Sequence, residues 1–326
     1  MSLPVLSFDQ VIDRLLSMKQ AYFQNYLAAY SSWLGGIITD PALWMLPFDD
    51  HMVHRGDGVF EVFKCTGWNI YALARHLERM KESMAASFLK SPVDNERLVE
   101  IVRDTVLAGN NGDCLVRLFV SRGPGSFSAN PYETVGSQLY VIVTSHQPPD
   151  PEKYEKGVTL ATTSVPVKND YFATMKNCNY LPNVLMKKEA VDLGADYPVS
   201  LDERGFLAEG ATENVGIVSN KGEFLIPRFS HILRGITVSR AMELARALTD
   251  SQLISTAEAD ITREQAHDAA EILIFGTSVD ILPVVEYDGR KIGDGRPGPV
   301  FRRLRELMVE DEKNPEMLTA VRKLRD

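Results

Sequence analysis

Cysteine is scarce in this 326-residue chain: Cys65, Cys114 and Cys178 are the only three, and they are widely separated. There is no C-x-x-C and no histidine pair at metal-ligand spacing, so the chain carries no signal of a disulfide framework or of a zinc site. The expectation is no metal and a reducing compartment. Long apolar runs are missing too, and no stretch reaches the ~18 residues of a membrane span. Met1 to Gln20 has charges scattered among its apolar positions rather than a basic head before an apolar block, which is not a signal-peptide pattern. The cytoplasm is the expected location, with no membrane partner. Positive charge is in deficit, with 35 Lys and Arg against 44 Asp and Glu and a net charge of −9. Binding a phosphate backbone requires a basic face, so no nucleic-acid partner is expected. Solubility alone accounts for the acidity.

The apolar fraction of 44% and the charged fraction of 24% are those of an ordinary soluble protein, and 326 residues suit one large or two medium α/β domains. Apolar spacing near 3.6 predicts an opening helix over residues 8–30, through Val11, Leu15, Leu16, Met18, Tyr22 and Tyr26. The β-branched and aromatic run Val59 to Phe63 reads as a strand, and Thr66-Gly67 as the turn into another over Trp68 to Ala72. Helical spacing returns over Arg75 to Leu89 and Glu96 to Leu107. Leu115 to Ser121 and Gln138 to Thr144 read as strands around a Gly/Ser/Pro-rich loop, Arg122 to Gly136. Residues 146–157 are polar, proline-rich and unpatterned, the best candidate for a linker. It would separate a smaller domain, 1–145, from a larger one, 158–326. In the larger part, strands are expected at Val158 to Val165, Tyr197 to Leu201, Val215 to Val218, Glu223 to Ile226 and Glu271 to Phe275. Helices are expected at Leu181 to Leu193 and Ile236 to Leu248. The class is α/β, or α+β, with two domains.

Four segments of the second half stand out together. They are Ala173-Thr-Met-Lys176-Asn-Cys-Asn-Tyr180-Leu-Pro-Asn, Leu207-Ala-Glu209-Gly210-Ala-Thr-Glu-Asn214, Leu233-Arg-Gly235-Ile236-Thr237 and Phe275-Gly276-Thr277-Ser278. With His54-Arg55-Gly56-Asp57-Gly58-Val59-Phe60-Glu61 and His76-Leu77-Glu78-Arg79 in the first half, their order and separation resemble the class IV, fold-type IV pyridoxal-phosphate enzymes. That family includes branched-chain aminotransferases, D-amino-acid aminotransferases and aminodeoxychorismate lyase. The resemblance spans roughly residues 50–290. Phe48-Asp-Asp-His-Met-Val-His54 and the N-terminal helix look most like the plant-type D-amino-acid transaminase branch. It implies a two-domain fold with a small N-terminal α/β domain and a larger C-terminal pseudo-barrel, pyridoxal 5′-phosphate as cofactor, and a homodimer.

Carried over residue by residue, the resemblance makes Lys176 the lysine that forms the imine with the cofactor. A lysine is ordinarily a solvated surface charge. Lys176 sits in an uncharged stretch between strand and helix, where desolvation and a cationic ring would lower its pKa and free the amine for bonding and proton transfer. Glu209 would face the pyridine nitrogen and keep the ring protonated, a better electron sink; a Glu-Gly pair is otherwise a common turn. The first-turn N–H groups at Ile236 and Thr237 would take the phosphate, with Gly235 permitting close approach, although a plain Thr cap has the same sequence. Arg79 matches the family's phosphate arginine, and Thr277 would add a hydroxyl and an N–H. Tyr180 corresponds to the tyrosine on the cofactor's phenolate oxygen, and a packed core tyrosine would look the same. Asn214 receives no chemical role. Where the family commonly has arginine after Thr237, this chain has Val238, with Arg240 two further on.

For substrate, Phe60 matches an aromatic position of the family and Arg117 is a candidate carboxylate partner by register, with His54 and Arg55 behind it. The Arg and His that the bacterial D-amino-acid enzyme carries in the loop matching Phe127–Ala129 are absent. The expected reaction moves an amino group between a small amino acid, branched-chain or D, and a 2-oxo acid. The alternative on the same motifs is aminodeoxychorismate lyase, an elimination releasing pyruvate; a cofactor-free binding protein has no use for Lys176, Glu209 and Arg79 together.

Overall fold

The strands of both halves are rich in β-branched and other apolar residues, and they build two separate sheets. The computed structural model describes residues 2–246, 248 and 255–322. They form two units.

The first unit comprises the described residues within Met1–Ile70, Ser87–His146 and Ala320–Asp326. Its strands are β1 (Tyr26–Ser31), β2 (Gly36–Ile38), β3 (Gly58–Thr66), β4 (Asn69–Tyr71), β5 (Cys114–Ser121) and β6 (Gln138–Ser145), in the order β4-β3-β5-β6-β1-β2. Every neighbouring pair among them is antiparallel. One face holds the buried Val59, Phe63, Val116, Leu118, Val141 and Val143, as a period of two requires. Helix α4 (Asn95–Ala108) packs on this sheet through Leu98, Ile101, Val102 and Val106. The other face keeps Phe60, Arg117 and Phe119 half-buried.

The opening helix is shorter than the 8–30 expected from spacing. Helix α1 (Phe8–Ser17) starts at a capping box between Ser7 and Gln10 and buries none of its residues. From Tyr26 the chain pairs with β6 instead, Tyr30 opposite Val141, and sheet hydrogen bonds override the helical periodicity. The short helix α2 (His51–Arg55) is capped by Asp50, a buried carboxylate that accepts from Met52 N, from the Ser121 hydroxyl at 2.8 Å and from the Tyr140 hydroxyl at 3.0 Å.

The second unit comprises Tyr71–Ala86 and the described residues within Gln147–Thr319. Helix α3 (Leu73–Ala86) therefore does not belong with the rest of residues 1–145, as the sequence suggested. Its bonds explain this: Arg75 forms two hydrogen bonds to Glu243, at 2.8 and 2.9 Å, Arg79 donates to the Arg234 carbonyl, and the Ser83 hydroxyl accepts from Lys176 N. The expected linker 146–157 also differs. It contains helix α5 (Pro151–Lys156), started by the Asp150 carboxylate on Glu152 N with proline at the first turn, where its missing N–H costs nothing.

The sheet of this unit runs in the order β11-β10-β9-β12-β13-β7-β8. These strands are β7 (Val158–Thr162), β8 (Tyr197–Val199), β9 (Asn214–Val218), β10 (Glu223–Pro227), β11 (Ser255–Ala259), β12 (Glu271–Gly276) and β13 (Asp280–Tyr287). All of β9 is buried, and so is β12 as far as Phe275, because both faces are covered. On one face helices α8 (Ile236–Ala245) and α10 (Pro299–Asp311) press Val238, Met242, Phe301, Leu304 and Met308 against Phe224, Phe275 and Ile281. On the other, Leu160, Ile217, Ile272, Leu282 and Tyr287 pack with Ile261 and Ala266. Each such large side chain contributes ~1.5–3 kcal/mol of burial. Helix α8 stops at Ala245 rather than Leu248; residue 247, within the expected span, lies outside the described residues. Among those described, no helix is long and apolar enough to cross a membrane. The architecture is mixed α/β, as the composition and element pattern implied.

Candidate active site

Lys176 sits in a loop between two helices, α6 (Asp170–Ala173) and α7 (Leu181–Asp192), and not directly between a strand and a helix. Asn169 starts α6 by accepting from Tyr171 N at 3.1 Å. Asn177 then braces the loop: its amide donates to the Phe172 carbonyl at 3.2 Å and its oxygen accepts from Asn179 N at 3.0 Å. Lys176 N donates to the Ser83 hydroxyl of α3 at 3.1 Å, which fixes where its side chain departs. The half-buried Lys176 lines a cleft with Tyr180, Asn183, Glu209, Leu233 and Lys168. Its surroundings are uncharged only along the chain; in space the cleft contains a second lysine and the carboxyls of Glu209 and Glu213.

Glu209 is held in the stretch leading into β9, where its carbonyl accepts from Ser200 N at 3.0 Å. One carboxyl oxygen accepts from Leu233 N at 3.1 Å. Burial pushes this carboxyl up to about 7, against the Leu233 N–H and the positive charges of Lys168 and Lys176, with Glu213 adding to the rise. A carboxyl so placed is poised to accept a cationic partner. Tyr180 precedes α7, and the Lys168 Nζ lies 4.7 Å from the centre of its ring. Asn183, one turn into α7, donates to the Ala211 carbonyl at 2.6 Å.

The start of α8 is built for close approach. Its cap is Gly235, and among the described residues no side chain caps the first-turn N–H groups, which include those of Ile236 and Thr237. A Cβ at position 235 would lie 1.9 Å from Asn214 Oδ1, so only glycine fits. Asn214 itself donates to the Leu233 carbonyl at 2.9 Å and thereby orients the segment entering the helix. A structural hydrogen bond without a chemical role is what an asparagine there ordinarily makes. Arg79 is buried on α3, and its guanidinium donates to the Arg234 carbonyl at 2.9 Å, beside the same helix start. Thr277 is half-buried in the turn after β12, the strand that α8 packs against. Val238 is fully buried, where an arginine would cost its hydration. Arg240 instead pairs with Asp311 through two bonds, at 2.8 and 2.5 Å, and with Glu243 at 2.7 Å.

The second unit thus gathers Lys176, Tyr180 and Glu209 in one cleft and sets Arg79 against the helix start of Ile236 and Thr237. The substrate candidates lie in the first unit. Phe60 stacks on Phe119, with ring centres 5.6 Å apart. Arg117 donates to the Thr144 hydroxyl at 2.9 Å, and burial lowers its pKa. Arg55 donates to the Phe127 carbonyl at 2.6 Å and the His54 ring lies 5.2 Å from the Phe127 ring. Lys168 escaped the sequence reading because Pro-Val-Lys-Asn looks like any solvated loop.

The family model for class IV amino-transferases matches residues 58–287. The D-amino-acid transaminase, chloroplastic, of Arabidopsis thaliana is 37% identical over 316 residues, covering 96% of this chain and 83% of that protein. A putative branched-chain-amino-acid aminotransferase of Methanocaldococcus jannaschii is 30% identical over 274 residues, covering 84% and 93%. Among solved structures, a branched-chain amino acid aminotransferase of T.th. with pyridoxamine 5′-phosphate superposes with a TM-score of 0.83 at 28% identity, covering 91% of this chain and 99% of that one.

Proposed function

The chain belongs to the class IV aminotransferases and is a transaminase, and on that premise we propose that it moves an amino group between a small amino acid, branched-chain or D, and a 2-oxo acid, with pyridoxal 5′-phosphate held on Lys176. One observation supports the assignment of the site above all: an amine and a desolvated carboxyl, Lys176 and Glu209, line one cleft. When bound, the cofactor supplies an electron sink for charge developing at the substrate's α-carbon. The protein's own groups suit such a ligand at both ends. Arg79 and the uncapped N–H groups at Ile236 and Thr237 hold a phosphate dianion, and the Thr277 hydroxyl adds a donor. Glu209 holds a protonated ring nitrogen, and Tyr180 donates toward the phenolate oxygen.

Lys176 tethers the cofactor through its side-chain nitrogen. Its free amine would then move a proton to and from the substrate's α-carbon. Two half-reactions with one resting place for the amino group predict ping-pong kinetics. Phe60 and Arg117 are the proposed contacts to the substrate side chain and carboxylate. A homodimer in the cytoplasm completes the reading.

Purified full-length protein, loaded with cofactor, should be incubated with D- and L-amino acids plus 2-oxoglutarate, with aminodeoxychorismate alongside. Amino transfer to 2-oxoglutarate is expected. Pyruvate release from aminodeoxychorismate without an amino acceptor would turn the reading toward a lyase. Lys176→Ala should lose the visible absorbance of the lysine-bound cofactor and fall at least ~10³-fold in turnover. Sustained turnover by that variant without added amine would remove Lys176 from the chemistry.

A further inference from the structure

The cleft of Lys176 is lined by a second lysine, Lys168, from the irregular segment ahead of α6. Its Nζ lies 4.7 Å from the centre of the Tyr180 ring, close enough for cation–π attraction. The groups acting on the Glu209 carboxyl include the charges of Lys168, Lys176 and Glu213 and the N–H of Leu233. Of the two lysines, Lys168 exerts the larger pull toward the charged form. Lys168 in turn is faced by Glu209, Cys178 and Tyr180. Its outer side borders a groove whose carboxylates include Asp170, paired with His231 at 2.8 Å, and Asp202, paired with Arg204 at 2.8 Å, as well as Glu203. Asp202 thus has a cation of its own and Asp170 a histidine partner, whereas the amine of Lys176 is committed to the cofactor on the reading above.

We propose that Lys168 is a positioning residue of the cofactor site: poised over Tyr180, its ammonium keeps Glu209 charged and so ready to receive a protonated ring nitrogen. The inference rests on that reading of the site. Without a nearby cation, burial would leave the Glu209 carboxyl neutral at physiological pH, and a neutral carboxyl offers the ring nitrogen no counter-charge. Lys168 acts through Glu209 and touches no reacting atom.

The test measures the affinity of the full-length, cofactor-free protein for pyridoxamine 5′-phosphate between pH 6 and pH 9. This probe forms no bond to Lys176, so titration of that amine does not dominate the readout. Losing one cation beside Glu209 raises its pKa by about one unit, so Lys168→Met should weaken binding about tenfold at pH 6 and less than about twofold at pH 9. Lys168→Arg, which stays charged and stacks on aromatic rings, should keep the wild-type profile. In a Glu209→Gln background, Lys168→Met should produce no pH-dependent loss. A loss equal at every pH, or one that persists in the Glu209→Gln background, overturns the proposal. Should Lys168→Met fail to give a native circular-dichroism spectrum, Lys168→Gln takes its place. Wild-type protein that neither binds the probe nor gains visible absorbance with pyridoxal phosphate would instead sink the cofactor reading itself.

Discussion

At the scale of single residues, the Glu209 carboxyl ties stability to pH. Its pKa rises from 4.5 to about 7 because burial outweighs the Leu233 N–H and the two lysines. A carboxyl raised in the folded state favours folding while it stays protonated. Its contribution is therefore complete below about pH 4.5 and lost as pH rises through about 7. The cofactor-free protein should lose on the order of 2 kcal/mol from this group between pH 5 and pH 8. Glu209→Gln should flatten that part of the profile, as urea unfolding of both proteins at several pH values will show. Parallel profiles would mean that the carboxyl is already well solvated. Sequence motifs singled out Lys176 and Glu209, and the fold brings both to one cleft. The motifs were silent on Lys168, whose surroundings depend on which side chains meet after folding, and a solvated-looking loop lysine has no local pattern that marks it.

At the scale of elements, the start of α8 depends on a contact across the chain. Gly235 has an ordinary helical-entry backbone, φ −65°, so its need for glycine is steric: Asn214 Oδ1 occupies the space of a Cβ. Gly235→Ala should cost ~1–3 kcal/mol of stability and loosen cofactor binding. Adding Asn214→Ala should recover part of the stability, measured by thermal unfolding, because the obstructing oxygen is gone. If the double variant is no better than Gly235→Ala alone, the Asn214 contact is not the cause. Strands β3, β5 and β6 were legible from β-branched and aromatic content, and helix α4 from its apolar spacing, which buries one stripe. The segment 18–30 was not, because its spacing suits a helix while its partner strand, far along the chain, decides otherwise by pairing Tyr30 of β1 with Val141 of β6. Helix α5 was hidden by its prolines, which read as linker until Asp150 is seen capping the first turn.

At the scale of the whole molecule, a mixed α/β class was legible from the order of strand-like and helix-like segments. Which sheet each helix serves was not. Helix α3 lies between strands of the first unit in sequence and yet belongs to the second, because Arg75, Arg79 and Ser83 bond to groups there. A fragment of residues 147–322 therefore lacks Arg79, proposed for the phosphate, and the Ser83 hydroxyl that accepts from Lys176 N. It should bind pyridoxamine 5′-phosphate at least ~100-fold more weakly than the full chain in a fluorescence titration. Near-native affinity of the fragment would show that α3 is dispensable to the site.

The interleaving of the two units also governs how such a chain can be recombined. A single crossover at residue 146 between two relatives would join one parent's Arg79 helix to the other parent's lysine loop and α8, splitting a set of contacts that must match. Shuffling that keeps the cofactor site intact has to move residues 71–86 and 147–319 as one cargo rather than cut at a single junction. Gene fusions or swaps that respect only the apparent midpoint of the sequence will part α3 from the residues it is bonded to.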